Sequence, residues 1–159
     1  MGKIERPREG CDGPMSKVTR DFLVRGEYVT VIDVEAGIEH FGRGIEQYVD
    51  VILVVVDPTW ESLAIAERVN GLARTMGIDQ VWAVLNNVRT ADEETVLRDG
   101  LTSRRVNIIG RVRHDPAVAR AGLTGTPLAS GPAGEDMADV AVSLIDIVLQ
   151  QGMQFLRDA

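Results

Sequence analysis

The chain is poor in the residues that usually announce covalent or metal chemistry. Cys11 is its single cysteine, so no intramolecular disulfide can form, and a reducing compartment, the cytoplasm, is the simplest setting. The two histidines, His40 and His114, stand far apart in sequence, and no H-x-x-x-H or Cys–His spacing joins them, which removes the usual zinc patterns. There is no G-x-S-x-G elbow, and Cys11 with either histidine makes no convincing nucleophile–base pair. Aromatic residues amount to 4%, so aliphatic packing must fill the core, with Trp60 and Trp82 read as packing residues. No run of about 18 apolar residues occurs, and the amino terminus is polar and charged rather than signal-like. The expectation is a protein with no membrane segment.

A concentrated basic face is lacking too. Net charge is −7, and residues 1–26 hold six Lys/Arg against four acids, so the arm carries about +2 and the remainder about −9. A solvated acidic surface with a mildly basic arm accounts for this. Nucleic acid is not an expected partner, because its electrostatic footprint is a clustered basic face.

What is present is a globular pattern. A chain of 159 residues with 45% hydrophobic content can bury one real core. Residues 1–26 form an irregular arm punctuated by Gly2, Pro7, Gly10, Gly13 and Pro14, and residues 27–159 form an α/β domain. Residues 28–34 and 49–56 are nearly continuous apolar runs, the pattern of strands buried on both faces of a parallel sheet. Residues 81–85 and 106–109 continue the series. Thr59 can cap a helix running to Met76 and stopped by Gly77, with Leu63, Ala66, Val69, Leu72 and Ala73 as its stripe. Thr90-Ala91-Asp92-Glu93 is a capping box. Asp115-Pro116 opens a further helix leading to Gly122. A last helix over residues 135–151 carries Met137, Val140, Ala141, Leu144, Ile145 and Val148 on one side. Alternating strands and helices of these lengths predict a partial, doubly wound parallel sheet of about four strands.

Asp33 closes the first apolar run, and ligands of open α/β sheets sit beyond the strands' carboxyl ends. An acid there with Gly37 four residues on is how P-loop NTPases place a magnesium-facing carboxylate and an amide that senses the γ-phosphate. The same spacing fits a helix-capping acid followed by a turn glycine. The phosphate cradle such groups serve, G-x-x-x-x-G-K-[S/T], is absent from the sequence. Asn86 follows the third run. Its amide can donate and accept at once, which suits a purine edge, and equally suits a turn. The loop over residues 110–115 ends the next strand, on the side where a base would lie. Cys11 is either a thiolate metal ligand or a small apolar residue.

Taken together, Gly2-Lys3-Ile4-Glu5, Glu9-Gly10-Cys11 and the run from Asp33-Val34-Glu35-Ala36-Gly37 to Gly44 resemble the carbon monoxide dehydrogenase maturation ATPases. These nickel-insertion factors belong with the MinD, ParA and nitrogenase iron-protein class of dimeric P-loop ATPases. The resemblance continues through Val55-Val56-Asp57-Pro58-Thr59, Asn86-Asn87-Val88 and Ile108-Ile109-Gly110. It implies that Asp33 serves Mg²⁺, Gly37 contacts the γ-phosphate of ATP, Asn86 reads adenine, and the loop around Arg113 to Asp115 packs by the base. It implies a homodimer, or association with a P-loop-bearing chain, and a client such as carbon monoxide dehydrogenase or another metalloenzyme. Three departures stand out. The family's phosphate loop and its lysine are absent. Its C-x-C metal motif is reduced to Cys11-Asp12-Gly13, so that a dimer would offer Ni²⁺ or Zn²⁺ two bridging thiolates instead of four. Arg113 stands where relatives often carry proline. The reading is the carboxyl-terminal part of such an ATPase, catalytically incompetent in isolation. The alternative is a non-catalytic interaction module that keeps the fold and its partner surface.

Overall fold

A computed structural model describes residues 30–34, 49–128 and 130–157. Three strands, β1 (Ile52–Val56), β2 (Val81–Val88) and β3 (Asn107–Arg113), form a parallel sheet in the order β1-β2-β3. Helix α1 (Trp60–Thr75) links β1 to β2, α2 (Ala91–Ser103) links β2 to β3, and α3 (Pro116–Thr124) and α4 (Pro132–Arg157) follow. A parallel neighbour requires such a crossover, because the chain must return to the end at which the first strand began before it can pair again.

Local chemistry sets the helix ends. Thr59 Oγ1 accepts from Ser62 N at 3.1 Å at the start of α1, and Gly77, at φ 80°, reverses the chain after it. Thr90 Oγ1 accepts from Glu93 N at 3.1 Å. Glu93 Oε2 in turn accepts from Arg89 N at 2.7 Å, one residue before the cap, so the predicted box closes in a slightly wider form. Asp115 Oδ1 caps α3 through Ala117 N at 2.9 Å. The stop of α3 is Gly125, at φ 63°, and not Gly122, which lies inside the helix. Only the later glycine takes the left-handed conformation that ends a helix.

Period-two alternation along the strands divides the core. On one face Val54, Val56, Ala83 and Leu85 pack with Leu63, Ala66, Val69, Leu72 and Leu101 of α1 and α2. On the other, Val84 and Val112 meet Ala133 and Val140 of α4. All five predicted stripe residues of α1 are buried. The last helix turns differently from its apolar pattern: Ala133, Asp136 and Val140 are buried, while Met137 and Ile145 are 48% and 52% exposed. Gly110 lets this helix sit close, since a Cβ there would stand 2.7 Å from Val140 Cγ2.

Two boundaries and one element depart from expectation. β2 runs on through Asn86 and Asn87 to Val88, and β3 runs to Arg113, because shifts of register let polar residues keep pairing. The expected first strand does not form over its described part. Residues 30–34 take no regular structure, and Val31 is 84% exposed. An apolar run becomes a strand only where a ladder partner and a packing surface are offered, and these residues take neither. Trp60 is also corrected from a packing residue, being 69% exposed at the first position of α1. It stands beyond the end of β1 and not between the layers.

Candidate functional site

Parallel strands end together, and their carboxyl ends gather the polar residues that follow each apolar run. Asp57 follows β1, Asn86 and Asn87 lie at the end of β2, and His114 and Asp115 follow β3. The register places Val56 beside Leu85 and Val88 beside Arg113, so these groups share one edge. Asn86 Nδ2 donates to Asp57 Oδ1 at 2.8 Å, joining the ends of β1 and β2. Asn87 has φ 58°, a conformation that asparagine tolerates better than most residues. Its Oδ1 lies 2.7 Å from His114 Nδ1, and His114 N donates to Val88 O at 2.8 Å. The Nδ1–H tautomer of His114 would donate to this amide oxygen, which only accepts.

Arg113 and Asp115 tie this edge to α4. Arg113 N and Arg113 Nε both donate to Asp136 Oδ2 at 2.8 Å, and the guanidinium also reaches Glu135 Oε2 at 3.5 Å. The hydrogen bond from Arg113 holds the Asp136 carboxyl below its usual range against the opposing effect of burial, and Asp136 raises Arg113 in return. Asp115 Oδ2 accepts from Ala133 N at 3.3 Å, so one carboxylate serves α3 and α4 together. An open cleft of about 440 Å³ lies beside these groups, between Arg89, Thr90, Glu94, Arg111, Arg113 and His114. Arg111 is held at 3.4 Å from Glu94.

Of the residues singled out from the sequence, Asn86, Arg113 and Asp115 converge on this edge. Asp33 lies exposed in the irregular stretch of residues 30–34. Gly37 and Cys11 lie outside the described residues. Sequence reasoning passed over Asp57, Asn87 and His114 as site residues, and Asp136 as their support. For Asp57 the signal was available, an acid directly after an apolar run. Among the described residues no three His, Cys, Asp or Glu side chains are placed to hold a metal. Zn²⁺ and Ni²⁺, which take their ligands chiefly from such side chains, therefore find no ready site among the described residues. Nor, among them, is any helix long and apolar enough to cross a membrane.

No protein-family model matches the chain. The MinD cell division protein of Aquifex aeolicus aligns in structure with a TM-score of 0.56 at 25% identity, covering 66% of this chain and 48% of that one. A ParA family ATPase of Chlorobium tepidum shares the fold, with a TM-score of 0.51 at 20% identity, covering 68% of this chain and 46% of its own. The architecture is that of the MinD/ParA class of P-loop ATPases. An uncharacterized ATP-binding protein of Methanocaldococcus jannaschii is 36% identical over 133 residues, 80% of this chain and 51% of that protein. The carbon monoxide dehydrogenase accessory protein CooC of Rhodospirillum rubrum is 30% identical over 129 residues, 79% of this chain and 48% of its own length. Within the class, the chain is a homologue of this accessory protein and of archaeal ATP-binding proteins. It spans about half the length of the relatives it matches.

Proposed function

We propose that this chain is the base-side, carboxyl-terminal part of a MinD/ParA-like ATPase, and that the complete protein couples ATP binding and hydrolysis to metallocentre assembly. The single observation that carries the reading is the meeting of Asp57, Asn86, Asn87 and His114 at the carboxyl edge of three parallel strands, where open α/β sheets take ligands. Asn86 uses one N–H on Asp57, which leaves its carbonyl oxygen and a second N–H for an adenine edge. The Asp57 bond fixes the amide's orientation, so ordering it costs the ligand nothing on binding. Arg113 and Asp115 hold the floor of this site by anchoring α4.

Catalysis of phosphoryl transfer rests on positioning and neutralising the phosphates. With no G-x-x-x-x-G-K-[S/T] loop in the sequence, Asp33 and Gly37 have no cradled γ-phosphate to act on, and the chain alone is catalytically incompetent. The metal would be cargo, delivered to carbon monoxide dehydrogenase or another metalloenzyme client, with Cys11 as a bridging ligand across a dimer. Residues 1–26 would carry that metal segment, and residues 27–159 the nucleotide-facing domain.

Adenosine, which lacks phosphates, tests the base side alone. Titration followed by amide NMR is expected to move Asn86, Asn87 and His114, and Asn86→Leu is expected to abolish the response. A folded chain whose strand-end signals ignore adenosine overturns the reading. It would favour the alternative of an interaction module, to which the exposed Val142, Ile145 and Leu149 of α4 lend support.

A further inference from the structure

The register that sets Val56 beside Leu85 sets the next residue of the chain, Asp57, beside Asn86. Val56 and Leu85 face α1 and α2, so alternation turns Asp57 and Asn86 together to the other face. Asp57 is fixed at its backbone, where its carbonyl oxygen accepts from Thr59 N at 2.7 Å, and Thr59 in turn caps α1. Its carboxylate Oδ1 accepts from Asn86 Nδ2 at 2.8 Å. A carboxylate only accepts, so it pairs with the nitrogen of an amide and repels the oxygen. The two ends of the Asn86 amide are thereby assigned, with Nδ2 against Asp57 and Oδ1 turned away from it. Among the described residues Asn86 Oδ1 takes no hydrogen bond, and it stands at the strand ends as a fixed acceptor.

We propose that Asp57 sets the choice of base at this site: by fixing the orientation of Asn86, it selects aminopurines such as adenine over oxopurines such as hypoxanthine and guanine. The inference rests on the reading that Asn86 meets a base, and it adds the residue that decides which base is accepted. Adenine and the oxopurines differ at the group on C6, which is an amine that donates in the first and an oxygen that accepts in the others. Asn86 Oδ1 pairs with the amine and repels the oxygen. An unrestrained asparagine would escape this repulsion by turning its amide over and donating Nδ2 to the oxo group. Here that turn gives up a bond to a charged acceptor and sets Asn86 Oδ1 against the carboxylate, two acceptors with no proton between them. The oxopurine is thus refused in either orientation. Asp57 acts through Asn86 and needs no contact with the base, so it is a positioning residue.

Adenosine and inosine, its 6-oxo counterpart, titrated into the intact chain and followed by amide NMR, test the inference. The unsubstituted chain should bind adenosine about tenfold or more tighter than inosine. Asp57→Asn keeps the size of the side chain, and the amide it introduces can offer Asn86 either an oxygen or an N–H. The preference should then fall to within about threefold, with inosine binding gained as adenosine binding is lost. A merely structural role for Asp57 would weaken both nucleosides alike. Asp57→Ala supplies a reading that needs no ligand, since loss of the carboxylate should move the side-chain amide signals of Asn86. Adenosine binding with a preference that Asp57→Asn leaves unchanged overturns the inference and leaves the reading of Asn86 standing. Failure of both nucleosides to bind the unsubstituted chain overturns that reading, and the inference with it. Asn86 side-chain signals indifferent to Asp57→Ala overturn the fixed orientation, and so the inference, whatever the nucleosides do.

Discussion

Removing the carboxylate of Asp136 should loosen the last helix from the sheet, and the size of the effect can be worked from its contacts. Asp136 is 8% exposed, and its Oδ2 receives both the backbone N–H and the Nε–H of Arg113 at 2.8 Å. Asp136→Ala strands a strand-end amide that has no replacement partner. A hydrogen bond to a charged acceptor contributes about 1.5–3 kcal/mol. The guanidinium, 40% exposed, finds water when the acid is gone and adds little to the cost. For a chain of this size about 1.5–3 kcal/mol corresponds to a fall in Tm of about 3–12 °C. Because the native carboxyl titrates below its ordinary value, its contribution is whole above the unfolded pKa of about 3.9 and disappears as pH falls through the lower native value. Circular dichroism melts of both proteins from pH 7 to pH 3 therefore should show a gap that is constant near neutrality and closes at the acid end. Arg113→Met, which keeps the backbone amide, should cost less than Asp136→Ala. A gap under about 2 °C at pH 7, or one that widens in acid, would refute the assignment of this contact as the clamp of α4.

Gly110→Ala drives a methyl against the stiff, β-branched Val140 and should cost about 1–3 kcal/mol by overpacking. Gly100→Ala meets only the mobile end of Leu63, at 2.9 Å, and gains helix propensity of about 1 kcal/mol, so urea melts should find it near neutral. ATP turnover by the purified chain should not exceed background; turnover above background that Asp33→Asn abolishes would show a working phosphate site. Equilibrium dialysis against Ni²⁺ or Zn²⁺ should find weak binding that Cys11→Ser removes, and equal binding by the two proteins would exclude Cys11.

Periodicity carried most of the fold. The stripe of α1, the caps at Thr59, Thr90 and Asp115, and three of the expected strands follow from residue spacing, because each depends on neighbours close in sequence. What depended on distant partners was less legible. The run over residues 28–34 has the composition of a buried strand, yet composition does not supply a ladder neighbour. The burial of Asp136 beside Val140 was hidden because its partner, Arg113, lies 23 positions away. At the site, Asn86 was visible as an amide at a strand end. The Asn87–His114 pair was not, since it needs both the positive φ of Asn87 and the shifted register of β2 on β3. Arg113 and Asp115 were singled out for the base, and their side chains are engaged with α4.

The affinity of the isolated chain for MgATP relative to adenosine, measured by calorimetric titration at one ionic strength, tests the central claim most directly. If the chain supplies the base side and no phosphate cradle, the two ligands should bind within about a factor of ten of each other, a difference below about 1.4 kcal/mol. A preference of a hundredfold or more for MgATP would show that this chain grips the phosphates by itself, and would contradict the account.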